Sequence, residues 1–169
     1  LTIERKEIKT NVGEIVVYSK AVENTIPIIF LHGVYYDHNL WNYFINRISN
    51  HTTISIDMPS HGQSKNITKK NWTMEDCSKM LLEIIDYLGY SKVFAIGHSW
   101  GSMTILRAAT TKPEKFKTIG LCNMPFEEGS FSKQLTFGFQ HMVLPFRNFY
   151  VKQAAKAMLA EASRKSDPE

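Results

Sequence analysis

Ser99 stands at the centre of Gly97-His98-Ser99-Trp100-Gly101, directly after the apolar run Val93-Phe94-Ala95-Ile96. A serine between two glycines, entered from a strand and left through a helical pattern, sits at the tip of a tight turn. Such a hydroxyl can attack a carbonyl carbon if amide N–H groups receive the charge that develops on oxygen. Gly97 and Gly101 leave room for the backbone there. The five-residue pattern alone is weak, because Gly and Ser are common turn residues; the flanking strand and helix make it informative.

Positioning that serine takes a sheet. Residues 3–9 alternate, residues 14–19 carry Ile15-Val16-Val17-Tyr18, and Asn11-Val12-Gly13 between them reads as a hairpin turn. Residues 26–31 form a nearly unbroken apolar run, as in a strand covered on both faces, and end at His32-Gly33. Leu40, Trp41, Phe44, Ile45 and Ile48 form one stripe of a following helix. Residues 52–56 are the next strand, ending at Asp57. After a polar loop, a helix spans about residues 73–88, with Thr73 as cap, Asp76 in the capping-box position and Gly89 as stop. Residues 92–96 lead into the serine turn, and residues 116–122 return as a strand after the next helix.

Strands alternating with helices after an initial hairpin predict an α/β fold, a mostly parallel sheet with helices on both faces. Ligands bind beyond the carboxyl ends of such strands, so His32-Gly33, Asp57, Ser99 and Asn123 should converge on one rim. From Pro125 the pattern changes. Residues 126–149 are rich in Phe, Leu and Met, and residues 151–164 are Ala-rich and helical in pattern. The expected division is a core over residues 1–125 and a helical cap or lid segment over residues 126–169, with C-terminal helices packed on the side of the core as the equal alternative for that tract.

The 169 residues are enough to bury a core, and 43% hydrophobic with 21% charged residues is a globular composition. No apolar run approaches the roughly 20 residues that cross a bilayer, and the first residues lack an apolar signal core. A cytoplasmic chain without a transmembrane segment is the expectation. Cys77 and Cys122 are too few for a disulfide scaffold and read as buried free thiols. The net charge of +4 comes from scattered lysines that join no aromatics into a track, so no nucleic-acid partner is expected. The histidines form no His-x-x-x-His pattern or Cys/His cluster, so neither metal nor cofactor is expected.

In this order, over about residues 10–125, the chain resembles the alpha/beta-hydrolase superfamily, and within it the capped esterase, haloperoxidase-like and dehalogenase-like branches. His32-Gly33 is similar to the family motif after the third strand. Asp57-Met58-Pro59-Ser60-His61-Gly62-Gln63-Ser64 resembles the Asp-x-x-Gly-x-Gly-x-Ser loop after the fourth, departing from it at the first Gly, where Ser60 stands beside His61. Residues 97–101 are similar to the nucleophile elbow after the fifth. The resemblance implies a nucleophilic Ser99 and an oxyanion hole from the backbone N–H groups of Val34 and Trp100. It also implies that His32 and Gly33 shape the oxyanion loop, and that Asp57, Gly62 and His98 organise the loops around it. The tract after Pro125 falls where the family inserts its cap. A serine at the elbow argues against dehalogenase and epoxide-hydrolase chemistry, whose relatives in this fold use Asp there.

A serine at its free pKa also needs a base, ordinarily a His oriented by a carboxylate. The family order is Ser, acid, His. Of His32, His38, His51, His61, His98 and His141, only His141 follows Ser99, and it lies in the cap-like tract. The catalytic His is therefore expected to be missing from this chain, as in a fragment of a longer hydrolase. Asn123 occupies a place where some family members carry the acid. Glu127 and Glu128 are the nearby candidate acids, with a later acid outside the chain preferred. Asp37 and His38 read as a helix cap, and His98 as pointing away from its neighbour Ser99.

The leading expectation is a serine hydrolase that cleaves a small ester, thioester, lactone or amide through a Ser99 acyl-enzyme. Its partner is a small-molecule acyl substrate, with the missing C-terminal segment as a separate piece, or a homodimer, completing the sheet. Two other readings stand beside it. One is a non-catalytic binding or receptor protein on a hydrolase scaffold, the other haloperoxidase-like or carbon–carbon bond hydrolysis.

Overall fold

The first hairpin joins β1 (Glu4–Thr10) to β2 (Gly13–Lys20) through Asn11-Val12, with Thr10 opposite Gly13. The computed structural model describes residues 2–124. The cap expectation for residues 126–169, with Glu127, Glu128 and His141, lies outside them. After the hairpin come β3 (Ile28–Leu31), a 3-10 turn (His38–Trp41) running into the single-turn α1 (Asn42–Ile45), and β4 (Thr53–Ile56). α2 (Met74–Tyr87), β5 (Val93–His98), α3 (Trp100–Thr111) and β6 (Phe116–Cys122) complete the described part.

The strands form one sheet in the order β1-β2-β4-β3-β5-β6. β1, β2 and β4 pair antiparallel, whereas β4, β3, β5 and β6 run parallel. Period-two alternation decides which side chain meets which helix layer. Ile29 and Leu31 of β3, with Ile54, Ile56, Val93 and Ala95, pack against Leu81, Ile84, Ile85, Ile105 and Ala108 of α2 and α3. Phe30 faces the other way, onto Trp41 and Ile45, with Ile28 and Ile96 beside it. Helices thus cover both faces.

β3 begins two residues later than its apolar run. Pro27 has no N–H for the ladder, although its carbonyl still accepts from Phe94 N at 2.9 Å. The stripe expected from Leu40 to Ile48 is also not one helix face. A 3-10 turn advances about 120° per residue, and the change to α geometry rotates Phe44 outward, where it is 53% exposed. Cys77 is buried, its thiol pushed up to about 12 by burial and then by the neighbouring Asp76 charge. Cys122 is exposed, contrary to the expectation of two buried thiols, because β6 is an edge strand among the described residues. Among those residues no helix is long and apolar enough to cross a membrane.

α2 is bounded as its sequence implies. Asp76 N donates to Thr73 Oγ1 at 3.3 Å, and Thr73 N donates to Asp76 Oδ2 at 3.0 Å, closing the capping box. The Lys69 ammonium, at 2.7 Å, and the Thr73 amide hold the Asp76 carboxyl down at about 2. At the other end, Gly89 N returns to Asp86 O and Tyr90 N to Ile85 O, the paired bonds of a glycine stop. Thr73→Ala should lower unfolding stability by about 1 kcal/mol, read as a shift in the urea midpoint at unchanged slope.

Candidate functional site

Between β5 and α3 the chain reverses at Ser99, whose φ of 51° and ψ of −112° lie outside the regions that L residues favour. Strain of this kind, on the order of 1–3 kcal/mol, persists only where neighbouring contacts over-determine it. Those contacts are present. Ser99 N donates to Cys122 O at 2.8 Å, and the buried Ser102 hydroxyl donates to Gly97 O at 2.7 Å and reaches Cys122 O at 3.0 Å. A Cβ on Gly101 would sit 2.5 Å from Leu31 O, and one on Gly97 would sit 2.5 Å from the Gly101 carbonyl carbon. The turn therefore lies directly against the end of β3. Ser99 makes no side-chain cap to α3, which leaves its hydroxyl uncommitted to the helix.

The loop after β3 approaches the same turn. A Cβ on Gly33 would lie 3.1 Å from Ser99 Cβ and 2.7 Å from His98 Nδ1. Val34 follows, 44% exposed, and then Tyr35 in the left-handed region with φ 71°. The N–H groups of Val34 and Trp100 have no backbone acceptor among the described residues. His98 Nε2 lies 3.4 Å from Asn123 Nδ2, and the Tyr36 ring stands edge-on to the imidazole at 5.6 Å.

Asp57 ties this loop to the next one. Its fully buried carboxylate accepts from His38 N at 2.8 Å, His38 Nδ1 at 2.9 Å and Gln63 N at 2.8 Å. Gly62 lies so close that a Cβ there would meet the carboxylate at 2.2 Å. The Ser64 hydroxyl donates to Asp57 O at 2.7 Å and accepts from Val16 N at 2.9 Å, which fixes the far end of the loop to β2. His32, also fully buried, accepts from Met58 N through Nε2 at 2.9 Å, while its Nδ1 bonds Gly33 O at 2.7 Å. Burial pushes the His32 imidazole below its ordinary value, with the Gly33 carbonyl opposing it.

His32, Gly33, Val34, Asp57, Gly62, His98, Ser99, Trp100 and Asn123 therefore belong to one rim, as the strand ends imply. Asp37 caps the 3-10 turn through Asn39 N at 2.9 Å. His38 does more than start that turn, because its ring pairs with Asp57 and stacks on Tyr18 at 3.7 Å. Sequence reading missed this pair, since the partners are 19 residues apart and nothing local links them. It also missed Ser102, whose signal was only a small polar residue one turn past the serine. Among the described residues, no imidazole bonds Ser99. His51 bonds Ile26 O, His61 bonds Pro59 O and Tyr35 N, and the others are held as described above. No group of three His, Cys, Asp or Glu among the described residues is placed to hold a metal ion.

A family profile described as alpha/beta hydrolase fold matches residues 26–162. The chain is 32% identical over 98 residues to (E)-2-((N-methylformamido)methylene)succinate hydrolase of Acinetobacter baylyi, covering 57% of this chain and 37% of that protein. It resembles the solved structure of naproxen esterase from Bacillus subtilis with a TM-score of 0.64 at 23% identity, covering 70% of this chain and 42% of that one. Epoxide hydrolase from Vigna radiata gives a TM-score of 0.68 at 23% identity, covering 76% and 42%. The two structural likenesses speak for the fold alone. The chain spans 38%, 36% and 37% of the lengths of three curated relatives that it matches.

Two outcomes follow from the rim. Gly101→Ala should unfold the turn, lowering stability by about 3 kcal/mol or more, because a Cβ at that spacing must push strand backbone aside; thermal denaturation reads it. His32 is held below its unfolded value, so its neutral form stabilises the fold fully above about pH 6.5, and that contribution declines as the pH falls. Denaturant midpoints at pH 7.5 and 5 should therefore differ more in the wild type than in His32→Gln.

Proposed function

The chain belongs to the alpha/beta hydrolase fold family, and on that premise we propose that it carries the nucleophile and oxyanion half of a serine hydrolase of the capped esterase and haloperoxidase-like branch. The carrying observation is the over-determined turn that presents Ser99 at φ 51° beside the Gly33 loop. Ser99 Oγ attacks the carbonyl of a small ester, thioester, lactone or amide. The oxyanion rests on the N–H groups of Val34 and Trp100, and the N-terminus of α3 adds its partial positive charge. The tetrahedral intermediate collapses to an acyl-enzyme as the leaving group departs with a proton, and water releases the acid and restores Ser99.

A histidine and a carboxylate beyond the described residues carry those protons. Glu127 and Glu128 are near candidates for the acid. The Phe, Leu and Met content of residues 126–149 suits an apolar acyl group. The nucleophile's identity narrows the reaction. Serine attack on an epoxide would leave an ether that water does not hydrolyse, whereas attack on an acyl group leaves an ester that it does. The name of (E)-2-((N-methylformamido)methylene)succinate hydrolase, whose compound carries an amide, supports acyl chemistry.

The test is labelling of the full protein that carries this chain with a fluorophosphonate serine probe, together with turnover of p-nitrophenyl esters. Wild type should label at Ser99, and Ser99→Ala should lose the label and about a thousandfold or more in kcat. A full protein that neither labels nor turns over any ester, thioester, lactone or amide in a panel would sink the proposal.

A further inference from the structure

Two histidines brace the rim loops against each other in opposite directions. His32, at the end of β3, reaches across to accept from Met58 N in the loop after β4. His61, in that second loop, reaches back, and its Nε2 accepts from Tyr35 N at 3.4 Å while its Nδ1 bonds Pro59 O at 2.9 Å. The rings are 5.5 Å apart. A carbonyl oxygen only accepts, so Nδ1 of each ring carries the hydrogen and Nε2 offers the lone pair. His61 thus has both nitrogens committed and is not free to serve as a base for Ser99.

The place where His61 acts matters. Tyr35 is a bulky residue at φ 71°, which needs an external hold. Its N–H belongs to the peptide that follows Val34, so anchoring it orients the preceding peptide, which carries the Val34 N–H. On its other side the His61 ring packs on Trp100 at 5.3 Å, and Trp100 stacks on Trp72 at 5.2 Å and 15°. One imidazole therefore touches both segments whose amides are assigned to the oxyanion.

We infer that His61 is a positioning residue that sets the spacing of the Val34 and Trp100 amides, through the Tyr35 N–H on one side and the Trp100 ring on the other. This rests on the oxyanion role proposed above. His61 itself touches no reacting atom. It acts by holding two donors at the separation that a single oxygen requires, and loss of that hold shows in turnover more than in substrate binding.

The test compares His61→Phe and His61→Gln in the full protein. Phe keeps a ring against Trp100 but offers Tyr35 no acceptor; Gln keeps an acceptor oxygen and an amide donor. In His61→Phe the Tyr35 amide should exchange with solvent about tenfold faster, and kcat for a p-nitrophenyl ester should fall about tenfold or more with KM within about twofold. His61→Gln should restore both to within about threefold of wild type. Equal losses in the two variants, or a His61→Phe protein with wild-type exchange and kcat, would overturn the inference. If wild type neither labels at Ser99 nor turns over esters, the enzyme reading falls separately, and Tyr35 exchange alone decides whether His61 holds the loop.

Discussion

Backbone packed on backbone, where α3 begins against the end of β3, is the contact on which this rim depends. Gly101 has no Cβ, and so the helix start can lie on the Leu31 and His32 carbonyls, which a Cβ would meet at 2.5 and 2.8 Å. From that closeness the rest follows. The Ser99 turn is forced into an unfavourable backbone region, Ser102 and the Cys122 carbonyl hold it there, and Gly33 is brought beside the serine side chain. The strain is local and the restraint is distributed over β3, β5 and β6. In the proposed role, a serine presented this way does not reorganise when it reacts, which is the condition under which fixed dipoles stabilise developing charge best.

A second constraint is electrostatic. A carboxylate with no exposure, as at Asp57, is costly unless its oxygens are fully bonded. Three N–H donors from two loops meet that need. Because the donors come from His38 and Gln63, satisfying the carboxylate also fastens the loop after β3 to the loop after β4. Gly62 is close enough that any side chain would displace the carboxylate. His32 and His61 add bonds in both directions across the same gap. The loop that carries Val34 is thus tied at its start, its middle and its end.

The described histidines are spent on this architecture. Each one has a ring nitrogen bonded to a backbone group or to another side chain, and none bonds Ser99. In the proposed mechanism, charge stabilisation and proton transfer are therefore separate tasks carried by separate parts of the protein. The first is built into the sheet and its loops, where rigidity is available. The proposed mechanism assigns the second to residues beyond them.

Much of this was legible in the residues alone. Strand and helix order, the capping box of α2, the glycine stop at Gly89 and the position of Ser99 all rest on local chemistry. Such chemistry is written in neighbours a few positions apart, and for that reason it could be read directly. The meeting of His32-Gly33, Asp57, Ser99 and Asn123 was also accessible, because parallel strands put their carboxyl ends on one side. Tertiary structure alone decided what these residues do to one another. The Asp57–His38 pair, the opposed histidines at the loops, the Ser102 bonds and the exposure of Cys122 and Phe44 depend on distances across the chain. Sequence determined the fold and marked the tight turn at Ser99, since periodicity and turn chemistry act over short range; packing decided the loops, since burial and hydrogen-bond satisfaction act only once distant segments meet.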